Sequence, residues 1–397
     1  MKSISTINFN EKRVLVRVDF NVPLDSDGNI TDDTRMKACI PTIKAIVENG
    51  GRPILMSHLG RPKGERNLDL SLHYLTKHLE DITGLEVVFM EDCIGEDVVA
   101  ATKSLERGQI MLLENLRFYN EETSGDEEFA KSLALNGDFY VNDAFGTAHR
   151  AHASTAIIAK HFEGNKAPGL VMSAEIENVN KVLNDRKSPV TAIVGGAKVS
   201  SKIDILSNLI PKLDNLIIGG GMAFTFIKAK GGMIGKSLVE NDYLDTAKEI
   251  LLKAKEYDVN VYLPIDSVNA DDFSNEANIS ISLANEISDD NMGLDAGPKT
   301  LLELNDVLVS SKTILWNGPM GVFEFDNFAN GTESVGKMIV EATKNGAFSL
   351  VGGGDSVAAV KKFKIQDQVS YVSTGGGAML EYLEGKVLPG IKALQEN

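Results

Sequence analysis

The sequence predicts an α/β protein: two doubly wound parallel-sheet domains, Rossmann-like in plan, joined by a helix and with a cleft between them. Three observations predict it. Short β-branched runs alternate with longer segments of helical spacing. The scheme is laid out twice along 397 residues, a length that suits two or three domains. The residues just after each run are rich in chemistry, as expected where open parallel sheets bind ligands, beyond the carboxyl ends of their strands.

In the first half the runs are Arg13 to Val18, Pro53 to Met56, Glu86 to Met90, Ile110 to Leu113 and Phe139 to Val141. Helical spacing occupies Asp32 to Glu48 and Leu72 to Ile82. The second half repeats the pattern with Val190 to Val194, Asn215 to Ile218, Asn260 to Leu263, Thr313 to Leu315, Phe348 to Val351 and Gln368 to Val372. A helical pattern from Met172 to Asn184, followed by Ser188-Pro189, reads as the connector. No low-complexity segment or short-period repeat interrupts the scheme.

Composition narrows the function classes. Apolar residues at 43% and charged residues at 24% are ordinary for a folded globular chain. A formal charge of −16 repels nucleic acid and anionic lipid, so neither is expected as a partner, and an anionic ligand needs a local basic pocket. Cys39 and Cys93 are too few for a disulfide framework and lack metal-site spacing, so both are expected to be buried small hydrophobes. The opening MKSISTINFNEKRVLV has no apolar run suited to a signal peptide, and Leu216 to Ile227 is too short to span a bilayer. A cytoplasmic location is the expectation.

Cation type separates the halves where net charge does not. Residues 1–186 hold 21 Lys plus Arg against 29 acids, and residues 187–397 hold 19 against 27, so each carries −8. Yet all ten Arg and all six His lie at or before Arg186. Guanidinium grips carboxylate and phosphate with two donors at once, so the first half is expected to bind a small, highly anionic molecule. Glycines in the second half gather at Gly195–Gly196, Gly219–Gly221, Gly352–Gly354 and Gly375–Gly377, where bare backbone N–H groups can meet phosphates. A nucleotide is expected there.

Several motifs sharpen this. The run VGGGDSVAA, Val351 to Ala359, follows a strand and opens a helix, which favours phosphate at its amides with Asp355 free to hold Mg²⁺; the plainer alternative is a turn with Asp355 as helix cap. Gly195-Gly196-Ala197-Lys198 also ends a strand, and Lys198 and Lys202 are expected on one helical face. Lys230 to Ser237 resembles a P-loop but begins with Lys where glycine is required. His58, Arg61, Arg117 and Arg150 follow strands, and with Arg35 they are expected to form a polycationic pocket. His149 and His152 lack a third ligand at zinc spacing.

These residues resemble phosphoglycerate kinases of the bacterial type from end to end. The resemblance rests on VRVDFNVP (Val16 to Pro23), SHLGRPKG (Ser57 to Gly64), LLENLRF (Leu112 to Phe118), NDAFGTAHRAHAST (Asn142 to Thr155) and GGAKVSSKI (Gly195 to Ile203). It continues through MGLDAGPKT (Met292 to Thr300), WNGPMGVFE (Trp316 to Glu324), VGGGDSVAA and STGGGAMLEYLEGKVLPG (Ser373 to Gly390). It implies Mg-dependent phosphoryl transfer between ATP and the carboxylate of 3-phosphoglycerate, giving 1,3-bisphosphoglycerate and ADP. It places phosphoglycerate on Asp19, Asn21, Arg35, His58, Arg61, Arg117 and Arg150. It places the nucleotide on Gly195, Lys198, Lys202, Gly293, Asn317, Glu324, Gly353, Gly354, Asp355 and Ser356, with Asp355 as the metal ligand. Arg35, Lys198 and Gly376 are the catalytic positions. The implied domains are 1–171 for phosphoglycerate, a connecting helix over 172–186, 187–384 for nucleotide, and a tail over 385–397 folding back on the first domain. A cytoplasmic monomer is implied. Ser201 departs from the family, which more often has Asp there.

An acceptor already ionised at neutral pH needs no general base, in keeping with the absence of a nucleophile dyad or a G-x-S-x-G elbow. The competing readings are another two-domain acyl-phosphate-forming kinase, such as one acting on acetate or aspartate, and a two-lobed anion-binding protein.

Overall fold

A computed structural model describes residues 3–396. The chain divides into two units, one comprising the described residues through Ile176 together with those from Val387 onward, the other Glu177–Lys386. The helix Leu170–Leu183 spans the boundary between them.

The first unit is built on six parallel strands. Across the sheet they run Glu86–Met90, Gln109–Leu113, Arg52–Met56, Arg13–Arg17, Phe139–Asn142 and Lys166–Pro168. The central strands are buried on both faces, which is why they read as continuous apolar runs rather than alternating ones. Val14, Val16 and Val141 pack against Met36, Cys39, Ile43 and Ile46, whose spacing puts them on one stripe of the helix Thr34–Glu48. Phe9 meets Phe139 edge to face at 5.2 Å. The chain end returns as the helix Pro389–Gln395, where the Gly390 N–H donates to the Ala148 carbonyl at 2.8 Å.

The second unit repeats the plan with the parallel order Asn260–Tyr262, Asn215–Ile218, Val190–Val194, Thr313–Asn317, Phe348–Val351 and Tyr371–Val372. Counted within that sheet, the order is 3-2-1-4-5-6, that of dinucleotide-binding folds. Its core joins Ile193, Ile314 and Trp316 to Leu301, Leu304 and Leu308 of the helix Pro298–Ser310 and to Val335 and Ile339 of the helix Asn330–Lys344.

Two features escape the periodicity reading. Residues 266–296 form a three-stranded antiparallel sheet, Ile279–Leu283 beside Asp266–Ala270 beside Met292–Ala296, so a purely parallel expectation fails there. The segment Asp266–Ala270 has a single β-branched residue, so cross-strand pairing, not propensity, makes it a strand. The expected helix Leu72 to Ile82 starts as a 3₁₀ turn, Leu72–Leu75, before the α-helix Thr76–Thr83. Glu114 explains the tight turn, since its carboxylate takes the Ser71 hydroxyl at 2.6 Å and the Leu72 N–H at 2.8 Å. Both cysteines are buried and free, as expected. Among the described residues no helix is long and apolar enough to cross a membrane.

Trp316 is fully buried and donates from Nε1 to the Gly318 carbonyl at 2.9 Å. Trp316→Ala should therefore lower the unfolding free energy by about 3–5 kcal/mol. Urea denaturation followed by far-UV circular dichroism measures it; a loss below about 1 kcal/mol would contradict a sealed core at this position.

Candidate active site

The first unit's strand order reverses on either side of Arg13–Arg17, and the loops leaving the carboxyl ends there bring the predicted cationic residues together. Asn21 and Asn115 fix these loops. The Asn21 side-chain oxygen accepts the Gly60 N–H at 2.9 Å, and Asn115 holds the Leu59 carbonyl at 2.8 Å and the Arg117 N–H at 3.0 Å. Arg117 then reaches the Gly60 carbonyl at 2.8 Å, while its buried Nε has no hydrogen-bond partner. Arg35 is held by Asp19 at 3.0 Å. Arg61 and Arg150 are exposed, and their guanidinium groups pair with no carboxylate among the described residues.

Charge repulsion is legible in the imidazoles. Burial, then Arg17, Arg117, Arg35 and His152, holds His58 well below the ordinary histidine range. Burial, then Arg117, Arg17 and Arg150, pushes His152 down to about 4. Arg117 is lowered too, by burial and then Arg17. Burial first, and neighbouring positive charge after it, disfavours further charge on these groups, as expected of a cationic cluster that could take an anion.

Sequence reasoning missed what supports this pocket. Arg17 is fully buried; it donates from Nε to the Ser154 hydroxyl at 2.9 Å and from a terminal nitrogen to His58 Nδ1 at 3.1 Å. The Ser154 hydroxyl in turn donates to buried Glu122 at 2.7 Å. An arginine inside the apolar run VLVRV was the available signal.

In the second unit the strand order reverses between Val190–Val194 and Thr313–Asn317. The two strand ends leave almost in contact: a Cβ on Gly195 would lie 2.1 Å from the Pro319 carbonyl oxygen. Asn317 sits at this point as a junction, accepting from Lys202 Nζ at 2.6 Å and donating to the Gly352 carbonyl at 2.7 Å. The Ser356 hydroxyl takes the Gly318 N–H at 2.6 Å. Gly353 precedes the helix Gly354–Lys362 with φ +92°, and a side chain there would strike Asn317 at 2.5 Å. The free N–H groups of that helix start are thus open to a ligand.

A cavity of about 420 Å³ extends from this point, with Asp355 and Glu324 among its lining residues and Phe224, Met292, Gly293 and Leu294 supplying apolar wall. Gly293 is fixed by donation to the Ser237 hydroxyl at 2.9 Å, and a Cβ there would collide with the Phe224 ring at 2.1 Å. Burial lowers the pKa of Lys202 against the opposing pull of Asp355 and Glu384. Lys198 is exposed, and Gly376 precedes the helix Gly377–Leu383.

One expectation changes, and two disfavoured alternatives fall away. Lys198 and Lys202 do not share a helical face, because the helix begins only at Ile203; the Ser201 hydroxyl donates to the Lys198 carbonyl at 2.9 Å and Ser200 to Glu240 at 2.6 Å, holding a turn instead. An ionised Asp at 201 could not make that donation. Asp355 is not the helix cap, since Gly353 occupies that position. The P-loop-like run is no P-loop: Met233–Ile234 pairs with Glu286–Ile287, Ser237 is buried on Gly293, and no α-helix follows directly.

Asp295, on the cavity wall, is buried and pushed up to about 7, although it accepts the Gly331 N–H at 2.7 Å and the Ala296 N–H at 2.9 Å. A carboxyl raised on folding binds its proton more tightly in the native state, so its contribution is full below about pH 3.8 and is lost as pH rises towards 7. Asp295→Asn should flatten this part of the fall in stability, as read by urea midpoints across that window; an unchanged slope would show that Asp295 does not titrate there.

The comparisons with known proteins agree with this geometry. A family model described as phosphoglycerate kinase matches residues 4–386. The chain is 52% identical to a phosphoglycerate kinase of Porphyromonas gingivalis, with 99% of this chain and 100% of the relative covered. It is 51% identical to one of Borrelia hermsii, with both chains fully covered. Among solved structures, the phosphoglycerate kinase of Coxiella burnetii superposes with a TM-score of 0.91 at 40% identity, covering 99% of this chain and 98% of that one. That of Pyrococcus horikoshii gives 0.83 at 32% identity, covering 100% and 98%. With two parallel six-stranded sheets, a cationic cluster on one and a glycine-bounded cavity on the other, and with a phosphoglycerate kinase model matching residues 4–386, the chain belongs to the phosphoglycerate kinase family.

Proposed function

We propose that the chain catalyses reversible, Mg-dependent phosphoryl transfer between ATP and the carboxylate of 3-phosphoglycerate, running in glycolysis towards ATP. The observation that carries this reading is the presence of unlike half-sites: a cluster of arginines and histidines at strand ends in the first unit, and a cavity bounded by strand-end glycines and Asp355, beside the Lys202–Asn317 contact, in the second. An acetate or aspartate kinase has no need of so many guanidinium groups, and a passive anion-binding protein has no need of the second cavity.

In this reading Asp19, Asn21, Arg35, His58, Arg61, Arg117 and Arg150 hold phosphoglycerate. Gly195, Lys198, Lys202, Gly293, Asn317, Glu324, Gly353, Gly354, Asp355 and Ser356 hold the nucleotide, with Glu324 accepting from the ribose hydroxyls. A carboxylate oxygen of phosphoglycerate attacks the γ-phosphorus as the bond to the ADP oxygen breaks, so no proton needs removing and no covalent enzyme intermediate forms. Arg35, Lys198 and the Gly376 N–H are assigned to the transferring group, whose charge they offset. Since the half-sites belong to different units, transfer requires those units to bring their ligands together and exclude water. The protein is taken to act in the cytoplasm as a monomer.

Asp355 fits a magnesium ion shared with nucleotide phosphates. Its exposed carboxylate, in the first turn of the helix Gly354–Lys362, takes no hydrogen bond from the described residues, and no cluster of three or more metal-ligating side chains is found among them. One carboxylate plus phosphate oxygens is an ordinary magnesium set. Bound there, the ion supplies charge neutralisation to the phosphates.

A coupled assay of ATP formation from 1,3-bisphosphoglycerate and ADP, with and without Mg²⁺, tests the activity; failure with these substrates and success with acetyl phosphate or aspartyl phosphate would overturn it. Arg35→Ala should cut kcat on the order of 100-fold or more with KM for phosphoglycerate much less affected. Intact turnover with weakened binding would reject its role at the transferring group. Asp355→Ala should weaken Mg-nucleotide binding and leave phosphoglycerate binding alone, a separation that calorimetry on each ligand resolves.

A further inference from the structure

Arg17 is fully buried, and each of its three nitrogens makes a hydrogen bond: Nε to Ser154, one terminal nitrogen to the Val18 carbonyl and the other to His58 Nδ1 at 3.1 Å. Guanidinium has no acceptor and does not lose its proton in proteins, so in the last contact it can only donate. His58 Nδ1 must therefore be the bare, accepting nitrogen, and the ring proton must sit on Nε2. Nε2 has no protein partner among the described residues, and it is not among the sealed polar atoms left without one, so it is the atom left to meet a ligand.

We propose that Arg17 is a positioning residue that locks His58 as the neutral Nε2–H tautomer, making it a fixed hydrogen-bond donor to the bound anion rather than a titrating charge. The inference rests on the phosphoglycerate reading for the identity of that anion. The charged groups that act most strongly on His58 do so in one direction. Arg17 from its strand, Arg35 from the helix Thr34–Glu48, Arg117 from the turn Leu116–Phe118 and His152 from its loop each oppose a second positive charge on the ring. Arg17 is held by the chain Glu122–Ser154–Arg17, in which a buried carboxylate accepts from Ser154 Oγ at 2.7 Å and from the Ser154 N–H at 2.9 Å. A phosphate or carboxylate oxygen accepts equally from a neutral donor, so the pocket keeps this contact unchanged across the pH range in which an ordinary histidine switches.

The test is a long-range ¹⁵N–¹H correlation spectrum of the full-length chain labelled at histidine, with His58 assigned by its absence in His58→Gln. A neutral ring protonated at Nε2, persisting from about pH 8 to about pH 6, is expected. An Nδ1–H ring, or an imidazolium within that range, would overturn the proposal. In Arg17→Met the ring should become a tautomer mixture and titrate nearer about 6.5. KM for phosphoglycerate should then fall several-fold relative to the wild-type profile as the ring charges, while KM for nucleotide stays put; Arg17→Lys should recover part of the single-tautomer signal. A pH profile of KM unaltered in Arg17→Met would also overturn the proposal, and if that variant does not fold the wild-type spectrum still decides. Adding 3-phosphoglycerate to the wild type should move the His58 Nε2 resonance. A locked tautomer with an unmoved resonance would overturn the identity of the anion and leave the role of Arg17 standing.

Discussion

Repulsion between like charges is the constraint on which the first half-site depends. A chain with formal charge −16 has no general attraction for an anion, so it must hold positive groups closer together than they would settle unaided. Two of the groups involved, His58 and His152, are held below the ordinary histidine range by burial and, after it, by that repulsion. The arginines stay charged, and they are kept in place by covalent attachment to strand ends and by hydrogen bonds that share their charge: Arg35 with Asp19, Arg117 with the Gly60 carbonyl, Arg17 with Ser154 and, through it, Glu122.

The second half-site meets the same demand by other means. Backbone amides at a helix start and lysines replace guanidinium, and what matters is how closely the main chain can approach. Gly195 and Gly353 occupy positions where any side chain would collide with the neighbouring strand end or with Asn317. Asn317 connects Lys202 to the Gly352 carbonyl, so one amide joins three loops that meet nowhere in sequence. The apolar wall of the cavity comes partly from the antiparallel insertion through Met292 and Leu294, which gives that departure from the parallel plan a place in the site.

Much of this was legible before any coordinates. Continuous apolar runs such as Val190–Val194 mark strands buried on both faces, because a doubly covered sheet leaves no polar side to alternate with. Arginine and histidine confined to residues 1–186 pointed to the cationic cluster of the first unit, and glycine runs after strands to the cavity of the second. Less legible were elements whose identity is conferred by a partner. Lys166–Pro168 becomes a strand only by pairing with Tyr140–Asn142, and Leu72–Leu75 tightens into a 3₁₀ turn because Glu114, distant in sequence, takes its donors. The expected lysine face failed because two serine hydroxyls bond locally and delay the helix to Ile203.

By itself the sequence determined the two parallel sheets and the residue types at each strand end, since periodicity, glycine and cation choice are local properties of the chain, while the antiparallel sheet over 266–296 was not legible. Only the tertiary structure decided which of those residues face one another, and with that their protonation and their hydrogen-bonding direction. Arg17 reads locally as a charge stranded in a strand, and His58 as an ordinary titrating ring. Their 3.1 Å contact spans two strands, and such proximity depends on the summed packing of the unit, which no window of sequence encodes.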